Sequence, residues 1–235
     1  MKAIIVNSNS AKNQPEIYSE HNLLRMPAEW EPHEATWLGW PHNASDWPGK
    51  LSAIHWVYTE IVRKLTVGEQ VWILVNSKPH EDRAKRFLFR SGVNPKDVRF
   101  FQIPTNRGWT RDFGPIVLES SLPSLHRVIA RFGFNAWARY SDWKKDNQVS
   151  VRLAKRLNYP IIPIVVSGRE VVLEGGSVDV NGAGTVLTTE ECLLDSCIQV
   201  RNPGMKAEDY DCLLYTSPSP RDATLCPIPS CAWKK

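Results

Sequence analysis

The run Val71-Trp72-Ile73-Leu74-Val75 decides the fold of this chain, because consecutive apolar residues of this kind are typical of a buried β-strand. A predicted helix lies on either side of it. In Lys50 to Leu65 the apolar residues recur at helical spacing, and Glu81 to Phe89 forms a second helix that ends before Ser91-Gly92. Val98 to Ile103 is the next strand. Strands and helices in this order predict an α/β unit.

Similar elements continue toward the C-terminus. Ser177 to Val180 and Thr185 to Thr189 flank the Gly-rich turn Asn181-Gly182-Ala183-Gly184, which predicts a hairpin. The order of elements indicates an α/β architecture with mixed strand directions, and a repeated ββαβ unit is one interpretation of it. Between the first unit and the hairpin we predict strands at Ile116 to Leu118 and Arg127 to Phe134, a helix at about Lys144 to Leu157, and strands at Ile161 to Val166 and Val171 to Leu173.

The composition limits the class of protein. With 235 residues the chain can bury a substantial core in one large domain or two small ones. The formal net charge of +4 is modest and no dense Lys/Arg run occurs, which argues against a dedicated nucleic-acid surface. The apolar stretch Ala3 to Val6 is too short for a secretory signal or a membrane span, so we predict a cytoplasmic protein without a membrane partner.

The cysteines do not form a recognisable framework. All five lie in the last quarter of the chain and have no Cys-x-x-Cys spacing. An odd number without a signal peptide argues against a set of disulfides, and no histidine stands at zinc-ligand spacing nearby, so we predict no metal site. These residues are Cys192, Cys197, Cys212, Cys226 and Cys231.

The segment Gly108 to Pro115 carries the clearest functional signal, since it places Trp109, Arg111 and Asp112 within one bend. Glycine at one end and Gly-Pro at the other indicate a loop rather than a helix or strand interior. A guanidinium donates paired hydrogen bonds to carboxylate oxygens and stacks on aromatic faces, so the loop predicts an arginine-like ligand. The alternative is a local surface ion pair between Arg111 and Asp112, with Trp109 packed in the core.

Two other features admit both a functional and a structural interpretation. The glycines of Glu174-Gly175-Gly176 allow a tight turn that leaves the Glu174 carboxylate room to face a ligand, although a hairpin with a solvated glutamate gives the same pattern. Trp37, Trp40 and Trp47 could form a sugar-binding platform or a wall of core aromatics, and we favour the packed arrangement because tryptophan buries a large area.

The C-terminal segment differs from the rest of the chain. From Cys212 the sequence has no amphipathic period, and its Ser-Pro-Ser-Pro run cannot continue a helix or a strand. Cys212 to Asp222 also resembles the in-frame translation of a transposase adapter used in sequencing libraries. We therefore expect an irregular N-terminal segment at residues 1–25, a partial domain at 26–211, and a non-native, disordered tail at 212–235.

Three motifs, taken in order, resemble one known family. They are Met26-Pro27-Ala28-Glu29-Trp30-Glu31-Pro32-His33-Glu34-Ala35-Thr36-Trp37-Leu38-Gly39-Trp40-Pro41, then Trp109-Thr110-Arg111-Asp112-Phe113-Gly114-Pro115, then Glu174-Gly175-Gly176 with Asn181-Gly182-Ala183-Gly184-Thr185. The combination is similar to the agmatine deiminases and the bacterial, Porphyromonas-type peptidyl-arginine deiminases, which belong to the pentein superfamily. The similarity covers roughly Arg25 to Asp211.

The resemblance implies a fold and a chemistry. The fold is a five-bladed α/β propeller of ββαβ units, incomplete in this chain, with the active site in a central channel. The chemistry is attack of a cysteine thiolate on the guanidinium carbon, loss of ammonia, and release of a ureido product by water, with no metal or organic cofactor. Matched motif to motif, Asp112 is a guanidinium carboxylate, Glu174 is a second acidic site residue, and Trp109 lines the channel along the aliphatic stem of the substrate.

The chain also departs from the family pattern. The family's histidine lies in a Gly-His-Val-Asp segment and its nucleophile in an Ile-His-Cys segment, and neither occurs here. Cys192 and Cys197 lie in a segment that resembles the region after the hairpin, so we predict structural roles for both. We therefore expect this chain to be inactive as it stands, while the full-length enzyme converts agmatine to N-carbamoylputrescine and ammonia in putrescine biosynthesis and is compatible with a homo-oligomer.

Several alternatives remain at this point. Peptide-bound or free arginine would present the same guanidinium group to Asp112. A non-catalytic module that binds a cation or a glycan through the tryptophan-rich stretch is a second class of function. Nucleic-acid binding is a third, and it predicts a steep dependence of affinity on salt.

Overall fold

The computed structural model describes residues 3–5, 24–121 and 125–214. The α-helices are α1 (Leu51–Leu65), α2 (Lys78–Arg90), α3 (Thr110–Phe113), α4 (Val149–Leu157), α5 (Glu190–Leu193) and α6 (Ala207–Leu214). The strands are β1 (Ala3–Ile5), β2 (Leu24–Arg25), β3 (Ala35–Gly39), β4 (Gln70–Val75), β5 (Val98–Gln102), β6 (Ile116–Ser120), β7 (Arg127–Arg131), β8 (Ile161–Pro163), β9 (Val165–Val166), β10 (Arg169–Glu170), β11 (Val178–Val180) and β12 (Val186–Thr189). No helix within the described ranges has the length and apolar character needed to cross a membrane.

The first sheet has β4 at its centre, with β3 and β5 parallel to it on either side. Side chains of a strand alternate between the two faces of its sheet. Accordingly, Val71, Ile73 and Val75 pack in one core with α1 and α2, whereas Trp72 and Leu74 pack in another core that includes residues of β5 and α4. All of these side chains are buried. The prediction of a buried strand is therefore confirmed.

The remaining strands mix parallel and antiparallel pairs, as predicted. One sheet has the order β2-β6-β7-β8, in which β7 and β8 are parallel and the other neighbours antiparallel. The strands β11 and β12 form the predicted antiparallel hairpin, and β1 pairs with β12. The β-strand at Val178 and the helix α6 contribute to a third core, in which Leu173, Leu193 and Tyr210 are buried.

Several predicted elements differ from the structure. The segment expected to be irregular contains β1 and β2, which form because β12 and β6 offer them backbone partners. The strand β3 was hidden in the tryptophan-rich stretch, and its pairing with β4 defines it. Val171 to Leu173 is not a strand, since only Val172 forms an isolated bridge, with Gly133. The predicted loop at Gly108 to Pro115 contains the short helix α3.

The expected C-terminal tail lies largely beyond the described part of the chain. Its first residues, 212–214, complete α6, and the remainder of 212–235 is outside the described residues. The division at residue 211 therefore stays a prediction.

Candidate functional site

The segment that carries the predicted site follows β5 and lies at the carboxyl edge of the first sheet. Polar residues that follow the neighbouring strands hold it there. The Asn76 side-chain oxygen accepts a hydrogen bond from the Thr105 backbone N–H at 2.9 Å, and Asn43 Nδ2 donates to the Asn106 carbonyl at 3.2 Å. Because the carboxyl ends of parallel strands meet at one edge, the sheet itself places this segment.

A buried carboxylate anchors the same segment from the other side. Asp146 precedes α4, and its Oδ1 accepts hydrogen bonds from the backbone N–H groups of Asn106, at 2.6 Å, and Arg107. The side chain is 1% exposed, and its burial raises the pKa of Asp146 to about 7. The backbone of residues 106 and 107 is thus tied to the start of a helix that packs in the core.

Arg107 joins three parts of the chain at the wall of a cleft. Its guanidinium forms ion pairs with Asp46 and with Asp142, the latter at 2.9 Å, and lies 4.3 Å from the centre of the Tyr140 ring. Burial raises the pKa of Asp46, and Arg107 opposes that rise by pairing with it. These contacts fix the loop immediately before Trp109 and Asp112.

Trp109 and Asp112 line one cleft. The cleft has a volume of about 650 Å³. Trp109 is 36% exposed, and its ring centre lies 5.6 Å from that of Trp47, so an aromatic ring supported by a second one forms part of the cleft that Asp112 also lines. The other lining residues are Ser45, Asp46, Arg107, Trp137, Arg139, Tyr140 and Gln199.

The other two tryptophans of the tryptophan-rich stretch are packing residues. Trp40 is 1% exposed and stacks on His55 with ring centres 5.6 Å apart. Trp37 packs edge-on against Trp72 at 4.9 Å. The packed interpretation is therefore right for this pair, and only Trp47 reaches the neighbourhood of the cleft through Trp109.

The structure brings Asp112 against the glycine turn that follows Glu174. A Cβ atom on Gly176 would lie 2.2 Å from Asp112 Oδ1, and one on Gly175 would lie 2.5 Å from the Arg111 carbonyl oxygen. No side chain fits in either position without a shift. The Gly176 backbone N–H lies near the Asp112 carboxylate and favours its ionised form. The motifs at 109–115 and 174–176, distant in sequence, thus form one site.

Asp112 is held in an environment that disfavours its charge. Burial and the nearby charge of Glu174 raise the pKa of Asp112 to about 6, while Arg111, the Gly176 N–H and Arg201 act in the opposite direction. Arg111 pairs with Glu29 rather than with Asp112. The alternative of a local Arg111–Asp112 surface pair is therefore wrong, and no residue in the described ranges forms a salt bridge with Asp112.

Glu174 has a different environment from the one expected from sequence. Its side chain is 2% exposed, and Arg201 Nε donates to Glu174 Oε1 at 3.1 Å. A solvated glutamate is therefore excluded, and the carboxylate is already paired with a cation. Sequence reasoning missed Arg201, because an arginine in a loop after α5 carries no pattern that relates it to a glutamate before β11.

Candidates for a nucleophile or a metal ligand do not assemble at this site. The residues that line the cleft include neither cysteine nor histidine in the described part of the chain. Cys192 is partly buried and Cys197 exposed, and both are free thiols. Within the ranges that the structure covers, no three His, Cys, Asp or Glu side chains are grouped so that they could hold a metal ion.

Sequence comparison identifies related proteins. The model of the Porphyromonas-type peptidyl-arginine deiminase family matches residues 25–217. An agmatine deiminase of Medicago truncatula is 33% identical over 211 residues, which cover 85% of this chain and 51% of the relative. An agmatine deiminase of Pseudomonas aeruginosa (strain LESB58) is 30% identical over 196 residues, covering 80% and 48%. The chain thus spans about half the length of the curated relatives it matches.

Solved structures give the same result for the fold. The agmatine deiminase of Enterococcus faecalis superimposes with a TM-score of 0.69 at 27% sequence identity, over 83% of this chain and 50% of that chain. The C. jejuni agmatine deiminase gives a TM-score of 0.58 at 29% identity, over 73% and 47%. The predicted α/β pentein fold and the predicted family resemblance are confirmed.

Proposed function

The chain belongs to the Porphyromonas-type peptidyl-arginine deiminase family, and from that premise we propose that it supplies the guanidinium-binding part of an agmatine deiminase. The complete enzyme hydrolyses agmatine to N-carbamoylputrescine and ammonia, a step toward putrescine. The observation that carries the proposal is the Asp112 carboxylate, which lines an open cleft beside the exposed ring of Trp109. The agmatine deiminases among its relatives support the choice of substrate.

Binding follows from the geometry of the cleft. A guanidinium that enters it meets a carboxylate without a salt-bridge partner in the described residues, and it can donate two parallel hydrogen bonds to that carboxylate. The ring of Trp109 offers an aromatic face for the same planar cation or for its methylene stem. Positive charge on the ligand also favours the ionised form of Asp112, so binding lowers the pKa of this carboxyl from about 6.

The chemistry requires groups in addition to Asp112. A guanidinium is a poor electrophile because its charge is delocalised, so carboxylates must hold it in line with the nucleophile. A thiolate then forms a C–S bond to the guanidinium carbon, the C–N bond breaks, and ammonia leaves with a proton supplied by a histidine. Water cleaves the C–S bond and gives the ureido product. The described residues at the cleft supply neither the thiol nor the imidazole.

The proposal is tested by measuring agmatine binding to the 235-residue protein by calorimetry. We expect saturable binding at pH 7.5, and a loss of affinity of roughly 100-fold for Asp112→Asn, because charge-assisted hydrogen bonds to an ion contribute about 2–3 kcal/mol. Asp179→Asn is the matched control, since Asp179 is exposed on β11 and should leave the affinity unchanged. Equal affinities of the wild type and the Asp112→Asn variant would refute the proposed role of Asp112.

We also propose that this chain alone does not turn agmatine over. A colorimetric assay for the ureido product should remain at background at protein concentrations that saturate binding. Formation of N-carbamoylputrescine by the isolated protein would contradict this expectation, and it would show that a nucleophile outside the Ile-His-Cys pattern is present.

Free arginine is a second candidate substrate, and one feature favours it. Arg139 lines the cleft and is exposed, and it has no carboxylate partner among the described residues. A cation at this position suits the carboxylate of free arginine, whereas agmatine has no such group. Arginine should therefore lose affinity in Arg139→Gln while agmatine does not, and tighter binding of arginine than of agmatine to the wild type would favour this candidate.

A further inference from the structure

Arg201 is a buried cation that contacts two parts of the candidate site. Its side chain is 9% exposed, although it lies in the loop between α5 and α6. Arg201 Nε donates to Glu174 Oε1 at 3.1 Å, and Nη1 donates to the Gln199 carbonyl at 2.9 Å. Arginine is rarely buried without partners of this kind, because the guanidinium loses its hydration.

Gln199 connects Arg201 to the cleft. It lines the cleft together with Trp109 and Asp112. Its φ angle is +53°, in the left-handed region that non-glycine residues seldom adopt. Such a conformation persists only where surrounding contacts hold it, and the hydrogen bond from Arg201 to its carbonyl is one of these contacts. Arg201 therefore helps to define the part of the cleft lining that Gln199 forms.

Arg201 also compensates the charge of Glu174. Glu174 and Asp112 are two acidic groups at one site, and Glu174 acts on Asp112 to favour the protonated form. Like charges that share a buried site cannot both stay ionised unless a cation lies between or beside them. Arg201 acts on Asp112 in the opposite direction to Glu174. An Asp112 that has taken up a proton would lose the charge that attracts a guanidinium.

Within the described residues, Arg111 is the other cation that acts on the charge of Asp112. Arg111 favours the ionised form of Asp112 more than Arg201 does, but it is exposed and pairs with Glu29, whereas Arg201 also pairs with Glu174 and bonds Gln199. Arg107 forms ion pairs with Asp46 and Asp142, and Arg139 is an exposed residue of the cleft lining. Asp146 lines a small polar cavity with Asp112 and adds no positive charge.

We propose that Arg201 is a positioning residue, which neutralises Glu174 and holds Gln199 so that Asp112 is kept as a carboxylate facing the cleft at neutral pH. This role rests on the proposed guanidinium-binding function of Asp112. It assigns Glu174 to the support of the site through Arg201, rather than to direct contact with the ligand.

The test is a pH titration of Asp112 by NMR of the protein labelled with ¹³C at aspartate carboxyl groups. The Asp112 signal is identified by its loss in Asp112→Asn. We expect Arg201→Gln to raise the Asp112 midpoint by at least about half a pH unit, because one compensating charge is lost. Arg201→Lys keeps the charge and should give a midpoint close to that of the wild type. Glu174→Gln should lower the midpoint.

The same titration includes a control variant and results that would contradict the proposed role of Arg201. Arg131→Gln removes a comparable arginine that pairs with Glu170 at 3.2 Å, and it should leave the Asp112 midpoint unchanged. An unchanged midpoint in folded Arg201→Gln protein overturns the proposal. If that variant does not fold, the Asp112 midpoint of Glu174→Gln/Arg201→Gln is compared with that of Glu174→Gln. A higher midpoint in the double variant supports the proposal, and equal midpoints in these two proteins overturn it.

Ligand binding separates this proposal from the proposed function. The titration uses no ligand, so its result does not depend on whether agmatine binds. If the wild type binds agmatine, Arg201→Gln should weaken binding about 1.5-fold at pH 6.5, because a half-unit rise from about 6 lowers the ionised fraction of Asp112 by that factor. The loss should be smaller at pH 8, where Asp112 is ionised in both proteins. A loss of affinity that is equal at both pH values would indicate a structural effect alone and would overturn the electrostatic role.

Discussion

The two acidic residues that the sequence places in the site, Asp112 and Glu174, lie in opposite environments. Asp112 lines an open cleft and has no salt-bridge partner in the described residues, and its pKa is raised to about 6. Glu174 is 2% exposed and pairs with Arg201. One carboxylate is available to a cation from solution, and the other already has its cation. Proximity of two carboxylates to a site does not make them equivalent.

The different environments of Asp112 and Glu174 predict that Asp112 acts on ligand binding and Glu174 on stability. A partly buried carboxylate without a bound cation destabilises the folded protein, because its charge is desolvated without compensation. A buried ion pair contributes to the unique arrangement of its surroundings, and removing one partner exposes the full penalty of the other. We therefore expect substitutions at Glu174 to act mainly on the fold and substitutions at Asp112 mainly on binding.

The largest effect should come from removing the partner of the buried arginine. Glu174→Ala leaves Arg201 buried and unpaired, so the free energy of unfolding should fall by about 3–5 kcal/mol. Urea denaturation at pH 7.5 measures this change. Glu191→Ala, at an exposed position in α5, is the control and should change stability by less than about 0.5 kcal/mol. A loss below about 1 kcal/mol for Glu174→Ala would mean that the Glu174–Arg201 pair behaves as a surface salt bridge. The proposed difference between Glu174 and Asp112 would then be wrong.

The next largest effect should come from Gly176, which lies against Asp112 in the turn that follows Glu174. In Gly176→Ala the new methyl group would meet Asp112 Oδ1, the mobile end of a side chain, so the carboxylate should move rather than the backbone. We expect a loss of about 1–2 kcal/mol in stability and a loss of agmatine affinity measured by calorimetry. Gly68→Ala is the control, because a Cβ there meets nothing within 4 Å. Unchanged affinity in Gly176→Ala would show that Asp112 need not stay where the turn holds it.

An effect of similar size should appear in the pH dependence of stability. The folded-state pKa of Asp112 is raised to about 6 from an ordinary value near 3.8, so the folded protein binds this proton more tightly than the unfolded chain. The contribution of Asp112 is therefore most favourable at low pH, and it falls as pH rises from about 4 to 6. After allowance for solvent screening, Asp112→Asn should remove a penalty of about 1–2 kcal/mol that is present above pH 6.

This dependence is measured as the difference in unfolding free energy between wild type and variant across pH 4 to 8. The difference should grow in favour of Asp112→Asn as pH rises and level off above about pH 6.5. A difference that is constant with pH would mean that the Asp112 carboxyl of the wild type has an ordinary pKa. The electrostatic difference between Asp112 and Glu174 would then be refuted.

The smallest effect should be at the aromatic wall. Trp109 is partly exposed, so Trp109→Ala should change the stability little and weaken agmatine binding by about fivefold, which corresponds to about 1 kcal/mol for a cation or its stem on an aromatic face. Trp30→Ala, where the ring is 74% exposed and away from the cleft lining, is the matched control. Equal agmatine affinities of Trp109→Ala and Trp30→Ala would mean that the Trp109 ring does not contribute to binding.

Much of the fold could be predicted because burial leaves a local pattern. The apolar run at 71–75, the helical spacing in 50–65 and the Gly-rich turn at 181–184 each depend on neighbours in sequence, and the structure has β4, α1 and the β11–β12 hairpin at these places. The strand β3 was missed because its definition depends on hydrogen bonds to β4, which lies far along the chain. Local patterns report which face is buried but not which partner buries it.

The site divides in the same way. Residue types alone indicated that Trp109 and Asp112 suit a guanidinium, and the order of three motifs identified the family, because such chemistry requires specific side chains at fixed places in a loop. Only the tertiary structure decided that Arg111 pairs with Glu29, that Gly176 lies against Asp112, and that Glu174 is neutralised by Arg201. The reason is physical: the charge state of a carboxylate depends on its burial and on cations brought near by folding, and neither is encoded in the spacing of residues along the chain.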